Sequence, residues 1–296
     1  MGEKDLTEKT LEAYNDVFAD IVNVLLFKGD QVVRPEELED LTPGTIYKAD
    51  DKIRDIERDV AKKWTKNSIR IACIGLENQT KADQYMPLRV LGYDGVEYQR
   101  QLRDLKAGGK PCPVITLVLY FDYQKRWNSP TSLTEALEVP EILRPYVTDA
   151  KINLFEIAWL DKEQVNQFRS DFREVARYFT QMREDGEYRP SDDELQHIQS
   201  VLQLLNVMDR DHRFETAVNE RKAGKEARTM SEWLTRVINE SEAKGMAQGM
   251  AKGMEKGEIK TLAGLVRDGI LTIGDAAKRA NLSVAEFADK AGIPVQ

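Results

Sequence analysis

Helical and strand-like periods of apolar residues alternate along the first 160 positions. Between residues 7 and 27 apolar side chains fall at helical spacing, on a helix that Thr7 can cap and Gly29 ends. These positions are Leu11, Tyr14, Phe18, Ile21, Val22 and Leu25. A second helix is predicted over residues 86–105.

Short apolar runs between these helices predict β-strands. They span residues 58–64, 69–76, 113–121 and 152–160, and a polar turn at 65–68 joins the first two. The run at 71–76 is apolar on both faces, which is typical of a covered central strand. The order of helix, strands, helix and strand predicts a mixed α/β (α+β) sheet.

Beyond residue 160 the pattern predicts helices alone. They span residues 162–182, 192–207 and 231–244. We therefore divide the chain into a sheet-containing domain (1–160), a helical region (161–244), a repeat segment (245–260) and a small helical tail (261–296). The tail resembles a helix-turn-helix over residues 275–283, a pattern that also occurs in protein-interaction and helical-hairpin caps.

The repeat segment has a glycine every four residues. Glycines at 245, 249, 253 and 257 are followed by methionines at 246, 250 and 254. This spacing keeps to one helix face, so the segment is either a helix that packs closely against a partner helix or a flexible linker. The first alternative favours a homo-oligomer.

Composition narrows the chemistry to carboxylates. The 296 residues are 41% hydrophobic and 32% charged, as in globular proteins. Two cysteines and two histidines give almost no support for a disulfide framework or a zinc site, so a metal site would use carboxylates and hard ions such as magnesium. With neither a membrane-length apolar run nor a secretory signal, we expect a cytoplasmic protein and no membrane partner.

Charge limits where nucleic acid can bind. A net charge of −8 argues against a surface that is basic throughout, although two local groups of cations could contact phosphates. Solvated charged faces are the alternative. The first group is Arg58, Lys62, Lys63, Lys66 and Arg70, and the second is Arg89, Arg100, Arg103, Lys106 and Lys110.

Polar side chains follow the predicted central strand at its end. Glu77 and Gln79 are two residues apart, so a continuing strand projects both to one face. Asp59 lies in the neighbouring strand, and the first helix can add Asp16 or Asp20. Two or three carboxylates can hold a magnesium ion for phosphodiester hydrolysis, whereas solvent-facing acids are the alternative.

The second predicted helix carries two further candidates. Arg89 and Tyr93 are four residues apart on one face and can face the site. Arg89 can pair with Glu77 or a phosphate, or act only as a buried clamp on a core carboxylate. Asp83 can cap this helix.

Several motifs together resemble the recombination-promoting nuclease (Rpn) family, also described as PD-(D/E)XK nuclease family transposases. They span most of residues 14–160, and the most specific is ENQTKADQYMPLRVLGY at 77–93. The others are NDVF at 15–18, RDV at 58–60, LVLYF at 117–121, WNSP at 127–130 and the glycine repeat.

The resemblance implies a PD-(D/E)XK restriction-endonuclease-like core with magnesium- or other hard-cation-dependent activity on DNA. By position Asp59 is the first metal carboxylate, Glu77 the second, and Asp16 the acid of the first helix. Gln79 stands where the superfamily usually has lysine, and it can orient groups but not exchange a proton near neutral pH. Arg58 replaces the motif's proline and places a cation beside the phosphate path.

Two main hypotheses follow from these residues. The first is a DNA endonuclease linked to recombination or transposition, with Asp59, Glu77 and Gln79 as catalytic residues. Its substrate-binding residues would be Arg58, Lys62, Arg89 and Tyr93. The second is a catalytically inactive nuclease fold that serves as a binding or oligomerisation module, which the acidity and Gln79 favour. A transcription regulator that reads DNA with its tail is a third possibility.

Overall fold

The protein divides into two compact units, Met1–Trp233 and Leu234–Gln296. The computed structural model describes residues 11–41, 45–49, 52–56, 59–67, 69–106, 108–208, 214 and 227–294. The first unit contains a five-stranded sheet, and the described part of the second unit is helical.

The described strands form one mixed sheet and one two-stranded ribbon. The sheet has the order β1-β4-β5-β6-β7, in which β1-β4 and β4-β5 are antiparallel and β5-β6 and β6-β7 are parallel. Strands β2 and β3 pair antiparallel as the ribbon. The strands are β1 (Leu38–Asp40), β2 (Thr45–Ala49), β3 (Lys52–Ile56), β4 (Val60–Lys66), β5 (Ile69–Gln79), β6 (Val114–Tyr120) and β7 (Asn153–Glu156).

The register between β4 and β5 decides which side chains share a face. Val60 pairs with Leu76 and Trp64 with Ala72, and the register shifts only between Trp64 and Thr65. Directly opposite residues project to the same face, and successive residues alternate. Lys62, Trp64 and Asn78 therefore lie on one face of the sheet, and Glu77 lies on the other.

Helices α1 (Asn15–Phe27) and α2 (Met86–Asp104) cover opposite faces of the sheet. On the α1 side, Lys62 Nζ donates to Ala13 O at 2.7 Å, and the rings of Trp64 and Phe27 lie 6.4 Å apart. On the α2 side, Met86 and Val90 pack against Val118 of β6. Residues 72–78 of β5 are thus buried on both faces, as the continuous apolar run predicts.

The remaining helices of the first unit surround this core. Phe121, just after β6, packs against Phe172 and Phe179 at 6.4 and 5.2 Å between ring centroids. The helices are α3 (Leu133–Ala136), α4 (Lys162–Gln167), α5 (Phe172–Glu184) and α6 (Ile198–Met208), with 3-10 turns at Pro35–Glu37, Glu141–Tyr146 and Ile157–Trp159.

Several predicted boundaries are wrong, and buried acids explain two of them. The helix predicted at 162–182 is broken between α4 and α5, where Asp20 accepts hydrogen bonds from Arg169 N and Ser170 N at 2.8 and 2.7 Å. The helix predicted from residue 192 begins at Ile198, because Asp171 accepts from Gln196 N and His197 N just before it. These are tertiary contacts that periodicity does not detect.

Two further boundaries differ at the ends of the sheet. The strand predicted at 152–160 stops at Glu156 and continues as a 3-10 turn. The first helix was predicted from residue 7; residues 7–10 lie outside the described part, and a break at residues 13–14 precedes α1. Lys28 and Gly29 follow α1 with φ of 54° and 90°, so the predicted end at Gly29 is confirmed.

The C-terminal unit begins within the long helix α7 (Met230–Arg267). This helix runs on past the predicted end at residue 244 and includes the glycine repeat. Helices α8 (Ile273–Arg279) and α9 (Val284–Ala291) follow. A small core joins the three helices, and its buried residues are Ile259, Leu262, Ala263, Ala276, Ala277 and Phe287. Ser283 and Glu286 form the capping box of α9.

The expected architecture of a mixed α/β sheet followed by helices is confirmed. The two cysteines, Cys73 and Cys112, are buried and free. A search of the described helices finds none that combines the length and the apolar character of a membrane span.

We predict that Asp20→Ala destabilises the first unit by about 1–3 kcal/mol, because the N–H groups of Arg169 and Ser170 lose their acceptor. Asp20→Asn should cost clearly less, since an amide oxygen can still accept both bonds and burial already raises the pKa of Asp20. Urea denaturation of both variants measures the difference. If Asp20→Ala were as stable as the wild type, the Asp20 carboxylate would not stabilise the break between α4 and α5.

Candidate functional site

Glu77 and Gln79 lie side by side at the end of β5. Gln79 Nε2 donates to Glu77 Oε1 at 3.0 Å, so both side chains project to the α2 face, as their spacing predicts. Asn78 between them points to the opposite face, where its Nδ2 donates to Glu12 at 2.7 Å. The end of this central strand therefore presents polar groups to both sides.

Asp59 lies next to Glu77 across the β4–β5 pairing. It immediately precedes β4, whose first residue Val60 pairs with Leu76, so Asp59 reaches the level of Glu77. Asp59 Oδ2 accepts a hydrogen bond from Asn78 N at 2.6 Å. The structure thus brings together the two carboxylates that the sequence proposes as a pair.

Helix α2 supplies a cation to this pair. The Arg89 guanidinium forms an ion pair with Glu77 and a second with Asp83, at 3.1 Å from Nη1 to Oδ2. Its Nη2 also lies 3.0 Å from the hydroxyl oxygen of Tyr93, one turn further along α2. The Arg89 side chain remains 40% exposed, so it is accessible from solvent while it contacts Glu77.

Asp83 has a local role as well. Its carboxylate accepts a hydrogen bond from Tyr85 N at 2.8 Å, just before α2 begins. The same carboxylate holds Arg89 toward Glu77. Asp83 therefore connects the start of α2 to the orientation of the arginine.

The Glu77 carboxylate is almost completely buried, at 2% exposure. Burial raises the pKa of Glu77 to about 8, with a contribution from the charge of Asp59, while Arg89 and hydrogen bonds from Tyr93 and Gln79 act in the opposite direction. Burial and the charge of Glu77 in turn raise the pKa of Tyr93 to about 12. Additional positive charge would therefore be needed to keep Glu77 ionised near neutral pH.

The donor atoms at this position fit a hard divalent cation. Glu77 Oε2 is buried and has no hydrogen-bond partner among the described residues. Magnesium is commonly held by one or two carboxylates and keeps several waters, which the pair of Asp59 and Glu77 can satisfy. The described residues contain no group of three or more His, Cys, Asp or Glu side chains suited to a metal, so no third carboxylate from the described part of the chain joins this pair.

Two of the predicted site residues that the structure describes, Asp16 and Lys62, do not join the cluster. Asp16 Oδ2 lies 3.3 Å from His197 Nε2, away from Glu77. Lys62 is fully buried on the α1 face, where it pairs with Asp40, so it is not available to a phosphate. Its alternating position in β4, rather than its membership of a basic run, decides this placement. Arg58 lies outside the described residues.

Sequence reasoning overlooked the link between Asn78 and Glu12. Glu12 is fully buried, and its carboxylate accepts from Asn78 on the face opposite Glu77. The position of Asn78 between two site residues indicates only that it points away. Nothing in the helical pattern around Glu12 marks it as the partner.

Comparison with known proteins finds one family. The family model described as "Putative transposase, YhgA-like" matches residues 63–210, half of the chain. The matched segment includes Glu77, Gln79, Arg89 and Tyr93, and it begins just after Asp59. No curated protein and no solved structure matches the chain.

We predict that Glu77→Gln removes a pH-dependent loss of stability. The pKa of Glu77 is about 8 in the folded chain, against an ordinary 4.5, so the unfolded chain ionises first as the pH rises. The stability contribution of Glu77 is therefore complete below pH 4.5 and is lost toward pH 8. Urea denaturation should show that the free energy of unfolding of the variant, relative to that of the wild type, increases from pH 5 to pH 8. The increase should reach up to a few kcal/mol, because one pKa unit corresponds to about 1.4 kcal/mol.

Glu36→Gln removes the charge of an exposed glutamate and serves as the control, with the pH dependence of the wild type. If Glu77→Gln also kept the pH dependence of the wild type, Glu77 would have an ordinary pKa in the folded chain.

Proposed function

Because the chain belongs to the YhgA-like family of putative transposases, we propose that it is a metal-dependent DNA endonuclease that acts in recombination or transposition. The observation that carries the proposal is the juxtaposition of Asp59 and the buried Glu77 at the end of the central strand. Two neighbouring carboxylates repel each other unless a cation lies between them, and Glu77 Oε2 is buried without a hydrogen-bond partner in the described part of the chain. This combination supports a cation site.

In this proposal Asp59 and Glu77 hold the cation, most simply Mg²⁺. When bound, it would supply an activated water and neutralise charge on the phosphate. Gln79 restrains the Glu77 carboxylate through its amide N–H and cannot exchange a proton near neutral pH. Arg89 is exposed enough to offer its guanidinium to a phosphate oxygen while Asp83 and Tyr93 hold the side chain in place.

We predict that the purified chain nicks plasmid DNA in the presence of magnesium and that Asp59→Ala or Glu77→Ala lowers the rate at least about a hundredfold. Loss of either carboxylate removes one of the two protein ligands in the proposed site. Gel analysis of supercoiled plasmid measures the rate, and circular dichroism checks that the variants fold.

Asp30→Asn is the matched control, because Asp30 is an exposed carboxylate outside the cluster. It should retain the rate of the wild type. Equal nicking by the wild type, Asp59→Ala and Glu77→Ala would identify a contaminating nuclease and refute the proposal.

A second candidate function is a nuclease fold that binds without cutting. The observation in its favour is that Arg89 already supplies a positive charge to Glu77, beside a glutamine that cannot act as an acid or base. Titration of magnesium by calorimetry separates the two candidates. Absence of binding at millimolar magnesium would favour the inactive module.

Self-association through α7 accompanies either function in our proposal. Met246, Met250 and Met254 are 76%, 73% and 73% exposed. The glycines at 249, 253 and 257 have open space where a Cβ would stand. A second copy of the helix could cover these methionines and approach the glycines closely.

We predict that replacing Met246, Met250 and Met254 together by glutamine reduces the molar mass measured by light scattering, because the apolar contact between copies is lost. Glutamine has a helix propensity similar to that of methionine, so α7 should persist. Ile270→Gln, at another exposed apolar residue of the same unit, should leave the mass unchanged. An unaltered mass in the triple variant would rule out association through this face.

A further inference from the structure

A groove in the C-terminal unit is lined mainly by cations. It has a volume of about 380 Å³ and lies along α7, with Lys290 and Ala291 of α9 at its edge. Ile259 and Ala263 form a buried apolar floor. The groove is separate from the site at Glu77, which belongs to the other unit.

Three lysines of α7 line the groove in a row. Lys252, Lys256 and Lys260 are four residues apart and are all exposed. A helix rises about 1.5 Å per residue, so successive lysines are about 6 Å apart along the axis. Arg267 lies further along the same helix and donates to Ala291 O at 3.3 Å, which places its guanidinium at the end of the row.

The lining of this groove keeps a net positive charge. Among the lining residues the acid is Glu255, and it is paired with Lys290. Lys252, Lys256 and Lys260 form no ion pair with any other described residue. This surface is thus basic in a chain whose net charge is −8.

The character of these cations indicates the class of ligand. A small anion is usually held by buried, directional donors, whereas these ammonium groups are exposed on flexible side chains. Such a row is suited to a polyanion, because duplex DNA carries one negative charge per about 1.7 Å of axis and releases counterions when lysines approach. Several phosphates can face a row of this length.

We propose that the groove of Lys252, Lys256 and Lys260 binds the phosphate backbone of duplex DNA without reading its sequence. The surface would hold DNA independently of the carboxylate site in the first unit. The inference relies on the proposed function only for the choice of DNA among polyanions.

The test compares two double variants of the full chain in EDTA, where cutting is suppressed. Lys256→Ala with Lys260→Ala removes two groove cations. Lys278→Ala with Arg279→Ala removes two exposed cations of α8, outside the groove but inside the segment that resembles a helix-turn-helix. Fluorescence anisotropy with a labelled 20-base-pair duplex gives the affinity at several salt concentrations.

We expect the groove variant to bind duplex DNA about tenfold or more weakly, with a salt slope reduced by about 2, because each phosphate-contacting lysine contributes about 1 to the slope. The α8 variant should bind nearly as the wild type does. Unchanged affinity of the groove variant, or an equal loss in both variants, would overturn the proposal. Loss of affinity in the α8 variant alone would assign binding to the helix-turn-helix segment instead.

An acidic polypeptide is the competing partner, and polyglutamate tests it in the same assay. If the groove variant lost affinity for polyglutamate but not for DNA, the DNA proposal would be wrong. Failure of the groove proposal can be distinguished from failure of the nuclease proposal. Binding to the groove in EDTA does not require Asp59 or Glu77, whereas cutting does.

Discussion

The burial of the Glu77 carboxylate is the constraint on which the centre of the molecule depends. Removing an acid from water is costly unless cations and hydrogen bonds replace the solvent. Arg89, Tyr93 and Gln79 do so here, and two of them come from α2. The contacts that offset the cost of burying this carboxylate therefore also hold α2 against the end of β5. Glu77 therefore belongs both to the candidate site and to the packing of α2 on β5, and a substitution at this position alters both.

Other acids of this chain act as acceptors for backbone N–H groups. Asp59 accepts from Asn78, Asp20 from Arg169 and Ser170, and Asp171 from the start of α6. Asp20 and Asp171 accept these bonds where a helical segment is interrupted or begins, and Asp59 accepts near the end of β5. Part of the acidity of the chain is consequently internal. The net charge of −8 therefore overstates the negative charge on the outer surface.

The parts of the site that follow local periods could be predicted from the sequence. Glu77 and Gln79 share a face because side chains alternate between the two faces of a strand. Arg89 and Tyr93 are in contact because residues four apart lie on the same face of a helix. The Rpn resemblance is confirmed at the level of the family by the match to residues 63–210.

What depends on distant contacts could not be predicted. Asp16 lies beside His197, 181 residues later, and no local pattern connects the two. Lys62 belongs to a basic run in the sequence, yet its position in β4 turns it toward α1. The break between α4 and α5 likewise depends on Asp20 from a different helix.

The irregularity between Trp64 and Thr65 has a consequence for tolerance to length changes. Pairing is continuous from Val60 opposite Leu76 to Trp64 opposite Ala72, and the shift occurs beyond it, toward the hairpin tip. A residue gained or lost near the tip can be absorbed at this bulge, so the Asp59 end of the hairpin keeps its alignment. An insertion or deletion at the tip is therefore expected to leave Asp59 aligned with Glu77.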